Sequence, residues 1–250
     1  MEGMMSTDYS LYLVADADYV EGRDLVVLIE AAVRGGATIV QLRAKSLPFS
    51  DFLELGRRAV PVLKKHHVPL IINDRADVAL ACGAAGVHIG QDDMPLAVVR
   101  KVLAGGMLIG ISVNTPEEAR DAERQGADYV GVGPVYETST KTTDLPALGP
   151  EGVRRIKARV AIPIVAIGGI THENVRAVRE AGADGIAVVS AILGAADAYK
   201  AARRLKEQIS EFRTQGGLHD VVEKVRLGHR RLFRSRLSPS RPRREQSARG

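Results

Sequence analysis

Between Gly131 and Asp144 an apolar run breaks at Gly133-Pro134 and opens into a loop of hydroxyls, Thr138, Ser139, Thr140, Thr142 and Thr143, around Lys141. Hydroxyls and an ammonium donate to phosphate oxygens, and glycine lets backbone N–H groups approach such a ligand closely. The plain alternative is a solvated polar loop. A second set of polar residues lies at Gln41, Arg43 and Lys45, alternate positions that a strand would turn to one side. Two cations and an amide on one face suit an anion. Asn73 and Asp74 follow one apolar run, and Asp92 and Asp93 the next; Ser112 lies in a third. Two carboxylates from neighbouring strand ends can share Mg²⁺, which takes one or two carboxylates together with substrate phosphates. Asp74 and Asp93 also precede helices, so helix capping is the competing role. Gly168-Gly169 and Val189-Ser190 each stand between a strand and a helix, where backbone N–H groups can hold a phosphate or where glycines simply make tight turns. The pattern suggests two anionic subsites, a metal-bound polyphosphate near strands two to four and a monophosphate near strands six to eight.

These residues need elements to carry them. Leu11–Ala15, Thr38–Arg43, Leu70–Ile72, Gly86–Gly90, Leu108–Val113, Tyr129–Val135, Pro163–Ile167 and Gly185–Val189 read as strands, short and apolar as in a buried parallel sheet. Helical stretches alternate with them. Asp24 predicts the cap of a helix over Leu25–Arg34, and Thr115-Pro116-Glu117-Glu118 a capping box with proline at the first helical position. Thr171 predicts the cap of another. A helix from Asp51 to about Lys65 contains Pro61, which predicts a kink or break. Gly35-Gly36-Ala37, Gly83-Ala84-Ala85, Gly126-Ala127-Asp128 and Gly182-Ala183-Asp184 repeat the same helix-to-strand turn. Eight such units predict a single (β/α)8 TIM barrel, α/β in class, over residues 8–212. A doubly wound open sheet is the alternative; no Gly-x-Gly-x-x-Gly follows the first strand, which counts against a dinucleotide fold.

Charge divides the chain. Residues 211–250 hold 11 Lys and Arg against 4 Asp and Glu, a net +7, so the first 210 carry −2 of the total +5. Residues 213–250 are rich in Arg, Ser and Pro and predict a disordered basic tail. Any nucleic-acid or membrane-surface contact would be confined to that tail. With 45% hydrophobic residues and no tryptophan, the core must be aliphatic. The single cysteine, Cys82, cannot form an internal disulfide, which fits a cytoplasmic protein. No run is long enough to span a membrane and the start lacks a signal-peptide pattern, although Met4 or Met5 could serve as the start as well as Met1. His88 reads as a hydrogen-bonded core histidine, and His66, His67 and His172 carry no assignable chemistry.

Gln41-Leu42-Arg43-Ala44-Lys45, Ile72-Asn73-Asp74, His88-Ile89-Gly90-Gln91-Asp92-Asp93, Gly110-Ile111-Ser112, Gly133 to Lys141, Ala166-Ile167-Gly168-Gly169-Ile170 and Val189-Ser190 together resemble, in order, the motifs of the thiamine-phosphate synthase family. The resemblance runs from about Ser10 to about Ile209 and leaves the tail out. It implies a transferase that joins a hydroxymethylpyrimidine diphosphate to a thiazole phosphate and releases pyrophosphate. It assigns the pyrimidine diphosphate to Gln41, Leu42, Arg43, Ala44, Lys45, Asn73, Ser112 and Lys141, and the thiazole phosphate to Thr138, Ser139, Thr140, Gly169, Val189 and Ser190. Asp74 and Asp93 become ligands of one Mg²⁺ per subunit. Lys141, Arg43 and Ser112 become the catalytic set. Apart from the resemblance, the loop over 137–145 is the candidate for a lid, and whether it closes stays open. The expected partners are small phosphorylated molecules, and homo-oligomerisation stays open. Three rivals remain: a thiazole tautomerase-like relative with no need of the cation and aspartate set, a sugar-phosphate isomerase barrel, and a nucleic-acid-binding protein acting through its tail.

Overall fold

The computed structural model describes residues 7–20, 22–103, 106–138, 140 and 145–211. Ser139, Lys141, most of the expected lid and the basic tail lie outside the described residues, and so does the expectation of tail disorder. The chain forms β1 (Leu11–Asp16), α1 (Leu25–Arg34), β2 (Ile39–Arg43), α2 (Phe49–Lys65), β3 (Leu70–Asn73) and α3 (Ala76–Cys82). There follow β4 (Gly86–Ile89), α4 (Leu96–Val102), β5 (Leu108–Val113), α5 (Pro116–Arg124), β6 (Tyr129–Val132) and α6 (Gly149–Lys157). The last elements are β7 (Ile164–Ile167), α7 (Val175–Glu180), β8 (Gly185–Val188) and α8 (Ser190–Leu193), then α9 over 198–211. All eight strands pair in parallel and in sequence order, and β8 closes on β1 through Leu11↔Ile186 and its neighbours. The barrel expectation is borne out and the open sheet is excluded.

Two cores result from the alternation of side chains along each strand. Residues such as Leu13, Leu42, Ile72, Val87 and Val132 pack outward against the helices. Inside the barrel a smaller layer holds Tyr9, Tyr12, Val14, Ile39, Ile71, Tyr129, Val165 and Ala187. Tyrosines thus occupy places that barrels of this kind fill mostly with Val, Ile and Leu.

Asp24 caps α1, its carboxylate accepting from Val26 N–H at 2.9 Å. α2 runs continuously through Pro61, so of the expected kink or break the break does not occur. Pro61 faces solvent, and burial of Phe52, Gly56, Ala59 and Leu63 on the other side holds the helix. Thr171 accepts from Glu173 N–H within the turn before α7 rather than capping the helix itself. At α5, Thr115 Oγ1 accepts from Glu118 N–H at 3.1 Å, while Glu118 Oε2 accepts from Asn114 N–H at 2.7 Å. Thr115→Ala should cost about 1 kcal/mol, or about 3 °C in Tm for a chain of this size. Thermal unfolding checks this; Thr115→Ser should melt with the wild type, and an unchanged Tm in the alanine variant would remove the cap's importance. Among the described residues no helix is long and apolar enough to cross a membrane.

Candidate active site

A cavity of about 220 Å³ opens at the carboxyl ends of the strands. Its floor is apolar, from Val14, Val165, Ile167 and Ala187. Its walls bring together Gln41, Arg43, Asn73, Ser112, Thr138, Thr140, Gly169, Val189 and Ser190, all expected from the sequence. Ser139 and Lys141 lie outside the described residues.

The β2 segment divides at its end. Gln41 and Arg43 line the cavity, whereas Leu42 and Ala44 are buried in the outer core, so only their backbone can meet a ligand. Lys45 departs from the expected alternation because β2 ends at Arg43. Its side chain is half exposed and its ammonium sits on the Asp74 carboxylate; neither residue, nor Asp93, is among those that line the cavity. Arg43 pairs with Asp16, its register partner on β1, and Asp18 Oδ2 lies 3.9 Å from the same guanidinium nitrogen. Asp18 also accepts from Lys45 N–H at 3.0 Å and from the Ser46 hydroxyl. These hydrogen bonds hold the Asp18 carboxyl below its usual range, although burial pushes the other way. Asp16 and Asp18 therefore fix both the guanidinium and the turn behind it. In the sequence Asp16 simply follows the first apolar run, with nothing to mark this pairing.

Neither Asp74 nor Asp93 caps a helix. α3 and α4 begin without a side-chain cap, and Asp93 Oδ2 instead accepts from Gly90 N–H at 2.7 Å. Asp74 is left-handed at φ 62°, unusual for a residue other than glycine, and its N–H donates to His88 O at 2.7 Å. Burial pushes the Asp74 carboxyl up; Lys45 opposes this and the adjacent Asp93 carboxyl adds to it. Two crowded carboxylates offer hard oxygen donors, and no group of three or more His, Cys, Asp or Glu among the described residues could hold a metal by itself. A two-carboxylate set that leaves most positions to water and phosphate fits Mg²⁺.

On the opposite side β7 runs into Gly168 and Gly169, with φ 102° and 62°. A Cβ at Gly168 would lie 2.7 Å from Pro134 Cα, and one at Gly169 2.8 Å from Tyr136 Cβ, so the β6 loop packs onto bare backbone. After β8 the four-residue α8 starts at Ser190, a short extra turn of the kind that binds phosphate in this architecture. The Gly133-Pro134 peptide is cis, and the Asn114 amide donates to Gly133 O.

His88 is hydrogen-bonded, as expected, but it lines the cavity. Tyr12, Tyr129 and Asn114 join it in the wall and were not singled out from the sequence. Their signal is indirect: glycines at 110 and 131 inside apolar strands, which mark places where a ring must cross.

The chain is similar to known proteins. The chain is 48% identical over 204 residues to the thiamine-phosphate synthase of Syntrophomonas wolfei, covering 82% of this chain and 98% of that protein. It is 48% identical over 203 residues to the thiamine-phosphate synthase of Chloroflexus aurantiacus, covering 81% and 94%. The solved thiamine phosphate pyrophosphorylase of Pyrococcus furiosus superposes with a TM-score of 0.75 at 38% identity, covering 82% of this chain and 97% of that one. The family model described as thiamine monophosphate synthase matches residues 11–192, and with that span matched this chain belongs to the thiamine monophosphate synthase family.

Proposed function

We propose that the chain is a thiamine-phosphate synthase, joining 4-amino-2-methyl-5-hydroxymethylpyrimidine diphosphate to thiazole phosphate with release of pyrophosphate. Membership of the family makes it a transferase of thiamine biosynthesis. The observation that carries the two-substrate reading is the division of one mouth into two anion-handling sides. Arg43 and Asn73 line one side, and Asp74, next in the chain to Asn73, carries the Lys45 ion pair and has Asp93 beside it. Gly168-Gly169 and Val189-Ser190 form the other, across an apolar floor that suits two flat rings.

The chemistry follows from these positions. The bond between the pyrimidine's methylene carbon and the diphosphate oxygen breaks, and the electron pair leaves with the diphosphate. The aminopyrimidine delocalises the resulting positive charge, and the thiazole nitrogen's lone pair then forms the new C–N bond. Arg43 meets the departing oxygens with a preorganised planar fork, and the family resemblance adds Lys141, outside the described residues, as a second donor. Ser112 stands beside the breaking bond, and Gln41 fixes the pyrimidine edge. Asp74 and Asp93 would hold the Mg²⁺, whose contribution when bound is to neutralise charge on the leaving diphosphate. No side-chain nucleophile is needed.

The test is pyrophosphate release with each substrate alone and with both, with and without Mg²⁺, in wild type and Asp93→Ala. Release should need both substrates and the metal, and should fall by about 10-fold or more in the variant. Absence of release under every condition would overturn the synthase reading. Equal release from the pyrimidine diphosphate alone would make the chain a hydrolase instead.

A further inference from the structure

Inside the barrel, side chains from β2, β1, β6, β4 and β5 form one hydrogen-bonded line. Gln41 Nε2 donates to the Tyr12 hydroxyl at 2.9 Å, and the Tyr12 and Tyr129 hydroxyls lie 2.8 Å apart. The Tyr129 hydroxyl lies 3.0 Å from His88 Nδ1, and His88 Nε2 lies 3.0 Å from Ser112 Oγ. Both ends reach the cavity. The interior is built around the line: a Cβ at Gly131 would lie 2.9 Å from His88 Cε1, and one at Gly110 would lie 2.5 Å from Tyr129 Cε1. An aliphatic layer would serve stability as well as a satisfied polar network, so the polarity calls for another reason.

The line has a direction. An amide NH₂ only donates, so Tyr12 accepts from Gln41, and the arrangement that gives every hydroxyl in the line an acceptor has Tyr12 donate to Tyr129. Tyr129 then donates to His88 Nδ1. An accepting ring nitrogen carries no proton, so the neutral imidazole bears its proton on Nε2 and donates to Ser112 Oγ. Burial pushes both phenols up, which keeps them protonated donors at neutral pH. Ser112 has accepted and is left with its own proton to give into the cavity, while Gln41 keeps Oε1 as an acceptor.

We propose that Tyr12, Tyr129 and His88 are positioning residues that fix Ser112 as a hydrogen-bond donor, and Gln41 as an acceptor, toward the bound pyrimidine diphosphate. The identity of that substrate rests on the synthase reading; the direction of the line does not.

The experiment is nitrogen NMR on full-length protein labelled with ¹⁵N-histidine, the His88 signals being assigned by their loss in His88→Asn. Wild type should show the Nε2–H tautomer. Tyr129→Phe keeps the ring, removes the donor, and should leave a mixture of tautomers. Its kcat should fall by about 10-fold with KM for either substrate within about twofold, the scale of losing one oriented hydrogen bond. Tyr12→Phe cuts the line one link earlier and should mix the tautomers likewise, which covers the case where Tyr129→Phe fails to fold. An Nδ1–H ring in the wild type would reverse the line and overturn the inference. So would an unchanged kcat in both phenylalanine variants of an active enzyme. The spectra need no substrate, so failure of the synthase reading and failure of this inference are told apart.

Discussion

Arg43→Ala should lower kcat/KM for the pyrimidine diphosphate by about 10²- to 10³-fold, the loss expected when a preorganised donor to developing negative charge is removed. Two losses combine in that figure. The first is the fork itself, whose Nη1 is held by Asp16 while the side chain lines the cavity. The second is electrostatic: Asp16 is buried, and without Arg43 it becomes an unpaired carboxylate facing a site meant for an anion. An uncompensated buried charge also destabilises the fold. The double variant Arg43→Ala with Asp16→Asn removes the second loss alone. It should recover thermal stability and part of KM while kcat stays low. Arg43→Lys keeps the charge but not the planar fork, and should remain at least about 10-fold impaired. Steady-state kinetics with each substrate varied in turn, together with melting curves, separate these contributions. An Arg43→Ala enzyme within about fivefold of wild type would remove the guanidinium from the leaving-group site.

The sequence carries the barrel and the site unequally, for physical reasons. Strand order is legible because each apolar run is short, ends in polar residues, and is followed by a helix start such as Asp24 or Thr115. In a parallel barrel those polar ends must gather at one mouth, so Arg43, Asn73, Ser112 and Ser190 can be placed together with no knowledge of register. Lys45 shows the limit. Alternation predicts its direction only while the strand continues, and β2 stops at Arg43. Asp16 shows another: its role depends on pairing opposite Arg43, which is a property of register between two strands. Capping by Asp74 and Asp93 is a sound local expectation, but Asp74 meets Lys45 and Asp93 accepts from Gly90 N–H instead of a helix N–H. The line from Gln41 to Ser112 is the least legible part. Tyr12 and Tyr129 look like ordinary aromatic strand residues until barrel closure brings their hydroxyls within 2.8 Å.

Gly110→Ala should be among the most destabilising single changes in the barrel, although it adds one methyl group. Gly110 does not have the left-handed backbone that favours glycine; it is glycine for space. The new Cβ would lie 2.5 Å from Tyr129 Cε1 and closer still to Cζ. Tyr129 is fully buried, with Tyr9 at a ring distance of 4.9 Å, His88 at 5.5 Å and Tyr12 at 6.0 Å, so its ring has nowhere to retreat. Overpacking of this kind costs about 3 kcal/mol at the upper end, which corresponds to a Tm lower by about 10 °C in a chain of this length. Gly83→Ala is the matching control. Gly83 has φ +72°, but a methyl there meets nothing within 4 Å, so only backbone strain of about 1 kcal/mol is expected. Thermal melts of the two variants beside wild type decide between space and conformation. If Gly110→Ala melts no lower than Gly83→Ala, Tyr129 is free to move, and its hydroxyl cannot be the fixed link between Tyr12 and His88.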